Sequence, residues 1–368
     1  MTEHTEIDAD IEDDGLPPAV VADLRHLITE AGVSANASLI RRILETGLEL
    51  GRDGTERLNL KITASALAEM RDAFRLYQPF TGVPKVTVFG SARTKSDDPL
   101  YRAAHDIAAQ LARAGWMVIT GAGPGIMQAA AEGAGPDSAI GVSIRLPFEE
   151  KPNDAMANGA HHVAMKYFFT RKLMLMKESS GFVCVPGGFG TMDEMFELLT
   201  LQQTGKAEPV PIVLLDEKGG TFWQGLKRFV TEQMIPSGVV SADDLDRVLI
   251  TDSVEAAEAE ITGFWRNYDS LRWVGDLLVL RLNAPPTPAE VDELNARFGN
   301  LLSSGRIEAR GPLAPEVADG DVPDLPRLVM HFNPYKVGHL FHVIRAINDL
   351  PSAPARVTAG TNNPDPHA

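Results

Sequence analysis

The chain has 368 residues, 44% of them hydrophobic and 23% charged, enough for a substantial core and two domains in proportions ordinary for a globular protein. Its formal net charge of −16 argues against binding along a nucleic-acid backbone, which needs Lys and Arg to neutralise phosphates, but leaves room for one local cationic pocket. A single cysteine, Cys184, excludes an intrachain disulfide framework and fits a reducing compartment; no apolar run approaches the length of a membrane span. The N-terminus is acidic where a signal peptide would be basic and then apolar, so the expected location is cytoplasmic.

Residues 1–16 carry Glu3, Glu6, Asp8, Asp10, Glu12, Asp13 and Asp14 with no Lys or Arg, the composition of a disordered, solvated segment. Over 17–79 apolar residues recur at helical spacing: Leu24, Leu27 and Ile28, then Leu39 to Leu44, then Ala64 to Leu76. Gly51, Asp53 and Gly54 break that run, and two or three helices are expected as an N-terminal extension.

At Pro84 the character changes, and a domain over 80–270 is expected. Val86 to Phe89 reads as a strand ending in Gly90-Ser91-Ala92-Arg93, followed by a polar loop and a helix over 100–114 closed by Gly115. Trp116 to Thr120 is the next strand. It runs into Gly121-Ala122-Gly123-Pro124-Gly125-Ile126-Met127 and an alanine-rich helix, and Ala139 to Ile144 is a third strand. A helix over 166–177 leads to a strand over 181–185, and Val210 to Leu215 with a helix from about Phe222 continues the alternation. This predicts an α/β fold, Rossmann-like, with a doubly wound parallel sheet covered on both faces. Ligands of such sheets bind at the carboxyl ends of the strands, where the glycine-rich turns after residues 89, 120 and 185 fall.

Ser253 to Tyr268 reads as a charged, aromatic helix ending that domain. Residues 271–350 are expected to form a small α+β module: a strand over 277–282, a helix over 288–302, strands over 306–309 and 327–332, and a helix over 337–350. Residues 311–326 read as a Pro- and Asp-rich loop, and 351–368 as a disordered tail. Open sheets of this kind often associate, so the module suits dimerisation.

The central stretch is Pro186-Gly187-Gly188-Phe189-Gly190-Thr191-Met192-Asp193-Glu194, between an apolar strand and a helix. Strand, glycine turn and helix start turn backbone N–H groups and the positive end of a helix dipole toward an anion. Thr191 and Glu194 also fit S/T-x-x-E, the capping box found at many helix starts, although a cap does not need the preceding glycines. Arg171-Lys172 lies in an otherwise apolar helix just ahead of the motif strand. As a solvated face it is unremarkable; held inside, a guanidinium there binds a phosphate or orients Glu194.

Other signals are weaker. The Gly121 turn misses G-x-G-x-x-G, because Ile126 and Gln128 stand where glycines are required, which disfavours a nicotinamide dinucleotide. No G-x-x-x-x-G-K-[ST] occurs, which disfavours a P-loop NTPase. His331, His339 and His342 lack acidic or Cys partners at ligand spacing, so no metal is expected; His161-His162 reads as a strand edge.

Gly90-Ser91-Ala92-Arg93, Gly121-Ala122-Gly123-Pro124-Gly125, Arg171-Lys172 and Pro186-Gly187-Gly188-x-Gly190-Thr191-x-x-Glu194 together resemble the LOG ("Lonely Guy") family, whose members are often labelled lysine decarboxylases. The resemblance covers about residues 80–265. Ala122 stands where many members have glycine. What the resemblance implies is hydrolysis of the N-glycosidic bond of a nucleoside 5′-monophosphate, adenosine monophosphate or a cytokinin-type N6-modified form, to free base and ribose 5-phosphate. It implies Glu194 and Arg171 as catalytic residues, and Ser91, Gly123, Lys172, Gly187, Gly188, Gly190 and Thr191 as substrate-binding ones. It also implies a homodimer or higher oligomer; no cofactor is expected, and the charge and the lack of a long apolar run leave no nucleic-acid or membrane partner expected. The chemistry agrees, since breaking a ribosyl C–N bond builds positive charge that a carboxylate near C1′ stabilises. The alternative is a non-catalytic nucleotide- or cofactor-binding carrier or sensor on the same fold. A pyridoxal-dependent decarboxylase is disfavoured, because no lysine marks a Schiff-base site.

Overall fold

Short apolar runs without polar alternation are stable only when buried on both faces, and here they are the strands of a seven-stranded parallel sheet. The structure is a computed structural model and describes residues 16–145 and 161–355; residues 1–15 and 356–368, expected as disordered tails, lie outside the described residues. The strands are β1 (Lys85–Phe89), β2 (Met117–Thr120), β3 (Ala139–Ile144), β4 (His162–Met165), β5 (Gly181–Cys184), β6 (Ile212–Leu215) and β7 (Val248–Thr251), in the order β4-β3-β2-β1-β5-β6-β7. β1 is central, with Val86 beside Val118 of β2 and Gly181 of β5. On one side of β1 the strand order steps to β4, on the other to β7. The loops leaving β1 and β5 therefore flank the switch point at the carboxyl edge, the place where such sheets bind ligands. His162 begins the edge strand β4 and His161 immediately precedes it, in keeping with the strand-edge reading. β7 was not expected; it is a short edge strand whose last three residues are only half-buried.

The helices of this body are α4 (Pro99–Arg113), α5 (Ile126–Ala134), α6 (Phe168–Lys177), α7 (Phe189–Gln203), α8 (Phe222–Phe229) and α9 (Val254–Gly263). Asp98 caps α4 by accepting from Leu100 N, with Pro99 at the first helical position, where its missing N–H costs nothing. Val86, Val88, Val118, Val183 and Val213 from the sheet pack with Ile107, Leu111, Ala129 and Ala130 from α4 and α5.

The expected helix over 253–268 ends earlier, at Gly263, and Tyr268 opens a second sheet. That sheet is antiparallel, in the order β10-β11-β9-β8, with β8 (Tyr268–Val274), β9 (Leu277–Leu282), β10 (Leu302–Arg310) and β11 (Arg327–Phe332). α10 (Pro288–Phe298) starts at a capping box, Thr287 Oγ1 accepting from Glu290 N while Glu290 accepts from Thr287 N. α12 (Leu340–Asn348) follows a 3₁₀ segment over 334–339. Leu278, Leu280, Leu282, Leu328, Met330 and Phe332 alternate onto one face and join Leu294, Phe341 and Ile344 in one core. On the opposite face Arg281 and Arg327 are direct cross-strand partners. Two like charges there are tolerable because acids match them: Glu316, fully buried, accepts from Arg281 Nε at 3.0 Å and from Arg327 Nε at 3.1 Å. Asp321 takes a further bond from Arg281 and one from Arg272 at 3.0 Å. Glu316 belongs to a short helix, α11 (Ala314–Asp319), inside the stretch expected as a loop.

The expected disorder from residue 351 begins too early. Ser352 N donates to Glu290 at 2.9 Å, Arg266 Nε donates to Pro354 O at 2.6 Å, and Ala353 is buried. Toward the N-terminus, α1 (Pro18–Glu30), α2 (Ala37–Arg52) and the start of α3 (Arg57–Tyr77) form a separate compact unit, divided from the remainder at Arg71/Asp72. No helix among the described residues is long and apolar enough to cross a membrane.

Candidate active site

The glycine motif leaves β5, whose four residues are all buried, and passes into α7 without a spacer. The helix begins at Phe189 with Gly188 as its N-cap, and no side chain caps it. Thr191 is therefore already inside the first turn and Glu194 one turn beyond, so the capping-box reading of these two residues fails. The first N–H groups of α7 have no intrahelical carbonyl to bond, and the Gly188 and Gly190 positions face open space. Phe189 beside them is 95% exposed. Thr191 is buried against Gly187: a Cβ at Gly187 would lie 2.3 Å from Thr191 Oγ1 and 3.0 Å from Ser91 N. Only glycine lets these three residues meet.

Ser91 joins the three turns. Its N–H donates to Pro186 O at 3.4 Å, its carbonyl accepts from Ile126 N at 3.0 Å, and its hydroxyl accepts from Arg93 N at 3.1 Å. The second turn packs closely as well, because a Cβ at Gly123 would meet Met127 Cε at 2.6 Å. Next to it, Ala122 is buried with φ of 56°, the left-handed region where a Cβ is strained. Its backbone explains why glycine is the easier residue at this place.

Arg171 and Glu194 meet beneath these turns. Arg171 Nη1 lies 3.4 Å from Glu194 Oε1, and both side chains are nearly buried, at 10% and 13% exposure. Arg171 Nε donates to Val142 O on β3 at 2.9 Å, which fixes the guanidinium. A Cβ at Gly121 would fall 2.1 Å from Arg171 Nη2, so Gly121 exists to make room for it. Neither Val142 nor the Gly121 contact was expected; the glycine-rich turn was a signal for Gly121, and a backbone carbonyl leaves none. Burial lifts the Glu194 carboxyl to about 7, against the opposing pull of Arg171 and Lys172 and with the help of Asp193 and Glu197. A carboxyl poised there passes between its charged and neutral forms near neutrality. Cys184, at the end of β5, is fully buried, and burial together with Glu194 pushes its thiol well up.

Lys172 is arranged differently from the expectation. Its ammonium is taken by Asp193 at 2.8 Å and Glu197 at 2.5 Å, and these two acids hold it above the usual lysine range despite burial. The histidines do not converge. His331, His339 and His342 pair with Asp276, Asp243 and Asp246 respectively, and no group of three potential metal ligands occurs among the described residues.

Residues 125–261 match the family model described as "Possible lysine decarboxylase". The chain is 28% identical over 181 residues to a cytokinin riboside 5′-monophosphate phosphoribohydrolase of Mycobacterium tuberculosis, covering 48% of this chain and 92% of that protein. It is 26% identical over 155 residues to the protein of the same name from Mycobacterium marinum, covering 41% of this chain and 79% of that protein. Among solved structures, the molybdenum cofactor carrier protein from Chlamydomonas reinhardtii aligns with a TM-score of 0.34 and 23% identity, over 48% of this chain and 94% of that one. Over this α/β body the chain is thus similar to proteins of the LOG family.

Proposed function

We propose that this protein hydrolyses the N-glycosidic bond of a nucleoside 5′-monophosphate, releasing the free base and ribose 5-phosphate. The observation that supports this reading best is the nearly buried Glu194–Arg171 pair beneath three glycine-rich turns at the switch point of the sheet. The names of the mycobacterial relatives point to the same reaction class. In this reading the 5′-phosphate binds the open N–H groups of Phe189, Gly190 and Thr191 at the start of α7, where the helix dipole favours an anion. Ser91, Gly123, Gly187 and Gly188 line the cradle.

Glu194 then faces the ribose. As the C1′–N bond lengthens, positive charge grows on the sugar, and the carboxylate, in a site poor in water, stabilises it. Water adds to C1′, Glu194 takes its proton as base, and that proton goes on to the departing heterocycle. Arg171 keeps enough of the carboxylate ionised near pH 7 and, tied to Val142 O, holds it in place. The carboxylate being the working form, kcat/KM rises with pH through about 7. No cofactor enters this scheme.

Phe168, Phe169 and Leu173 on α6, with Phe189 and Phe196 on α7, are exposed large hydrophobics. Aromatic surface of this kind suits pairing with a second copy, so we include a homodimer or larger homo-oligomer in the proposal.

The test is a panel of nucleoside 5′-monophosphates, including adenosine monophosphate and an N6-modified form, incubated with the protein and resolved by chromatography. Free base and ribose 5-phosphate in equal amounts are expected. Binding of the nucleotides without release of base would overturn the proposal in favour of a carrier or sensor.

A further inference from the structure

We propose that Lys172 is a positioning residue for Glu194: its ammonium, held between Asp193 and Glu197, offsets the two acids that flank Glu194 and fastens the first turns of α7 to α6. This rests on Glu194 being the working carboxylate of the site.

The geometry is specific. Lys172 follows Arg171 on α6, yet the two cations part company. Arg171 turns to Val142 O and Glu194, while Lys172 reaches Asp193 Oδ2 at 2.8 Å and Glu197 Oε2 at 2.5 Å. Asp193 precedes Glu194 on α7, and Glu197 comes one helical turn after it. A lysine ammonium has three donors, and two are committed to these carboxylates, so it is not arranged to grip a phosphate.

The charges around Glu194 divide clearly. α6 supplies Arg171 and Lys172, which favour its ionised form; α7 supplies Asp193 and Glu197, which oppose it; the Cys184 thiol on β5 stays neutral. Asp193 is 60% exposed and Glu197 38%, so water as well as Lys172 reaches both carboxylates. Structure alone therefore does not require Lys172 to be charged. Its effect on Glu194 does. Without Lys172, Arg171 alone faces two uncompensated acids, and Glu194 holds its proton to higher pH.

The experiment follows the Glu194 carboxyl by ¹³C NMR in protein labelled at glutamate side-chain carboxyls, with Glu194→Gln identifying the resonance. Lys172→Met should move its titration upward by about one pH unit, Lys172→Arg should titrate as the wild type, and the triple variant Lys172→Met, Asp193→Asn, Glu197→Gln should bring the midpoint back to the wild-type value or below it. The acid limb of kcat/KM should move in step with each. A residue that only ties two helices together would lower activity in Lys172→Met without moving the titration, and would gain nothing from the triple variant. An unchanged midpoint in Lys172→Met, or a triple variant still displaced upward, overturns the proposal. The NMR midpoint is read without substrate. If no nucleotide is hydrolysed, the proposed function fails on its own, and the titration still decides for or against Lys172.

Discussion

Replacing Glu194 by Gln should cost activity and add stability, the second effect growing with pH. Burial raises the Glu194 carboxyl from 4.5 to about 7. Between those values the folded chain keeps a proton that the unfolded chain has released. The stability attached to Glu194 is therefore full below pH 4.5 and is lost as the pH rises through 7. One pKa unit is worth about 1.4 kcal/mol, so the whole window amounts to roughly 3 kcal/mol; the carboxyl retains 13% exposure, and water reduces this to between about 1 and 3. Gln resembles the neutral acid in shape and does not titrate. Urea unfolding of wild type and Glu194→Gln at pH 5, 6, 7 and 8 should show the variant gaining on the wild type across the series and levelling off above pH 7. Nucleotide hydrolysis by the same variant should fall at least about 100-fold. A stability gap independent of pH would mean that Glu194 ionises as an exposed carboxylate does, and the account of the site would collapse.

Gly121→Ala places a methyl group 2.1 Å from Arg171 Nη2 and 2.7 Å from Met127 Sδ, so the guanidinium must leave its position. The expected result is a turnover lowered at least about tenfold with a loss of about 1–3 kcal/mol in stability, measured by steady-state kinetics and urea unfolding; wild-type kinetics would show that Arg171 has no fixed place. Glu316→Ala removes the carboxylate that Arg281 and Arg327 share in a buried face and leaves Arg327 without an acidic partner, and should cost about 3–5 kcal/mol in the same unfolding assay. A loss below about 1 kcal/mol would show that water reaches the pair.

The parallel sheet was legible because strands such as Val86 to Phe89 and Ile212 to Leu215 are buried on both faces and need an unbroken apolar run. β8 was not, because its half-buried residues, with Trp273 exposed, mix polar and aromatic types that read equally well as the end of a helix. The pattern S/T-x-x-E occurs at Thr287–Glu290 and at Thr191–Glu194, and local sequence treats them alike. In the first it closes a capping box; in the second, α7 has already started at Phe189, and the acid is free to meet Arg171. Which of the two occurs is decided by the glycines ahead of Thr191 and by an arginine 23 residues away in the chain. Likewise nothing near Arg281 announces that its partner is a glutamate 35 residues on, in a stretch that reads as loop. Such pairings are products of the finished fold, and only the requirement that buried charges be matched foretells them.

Cys184 carries a practical consequence. It is the chain's one cysteine, and it is sealed behind the turn with its thiol held in the protonated, unreactive form. A cysteine engineered anywhere on the surface would then be the sole point of attachment for a maleimide dye or spin label. Distances and motions around α6 and α7 can be measured in this protein without first removing a native sulfur.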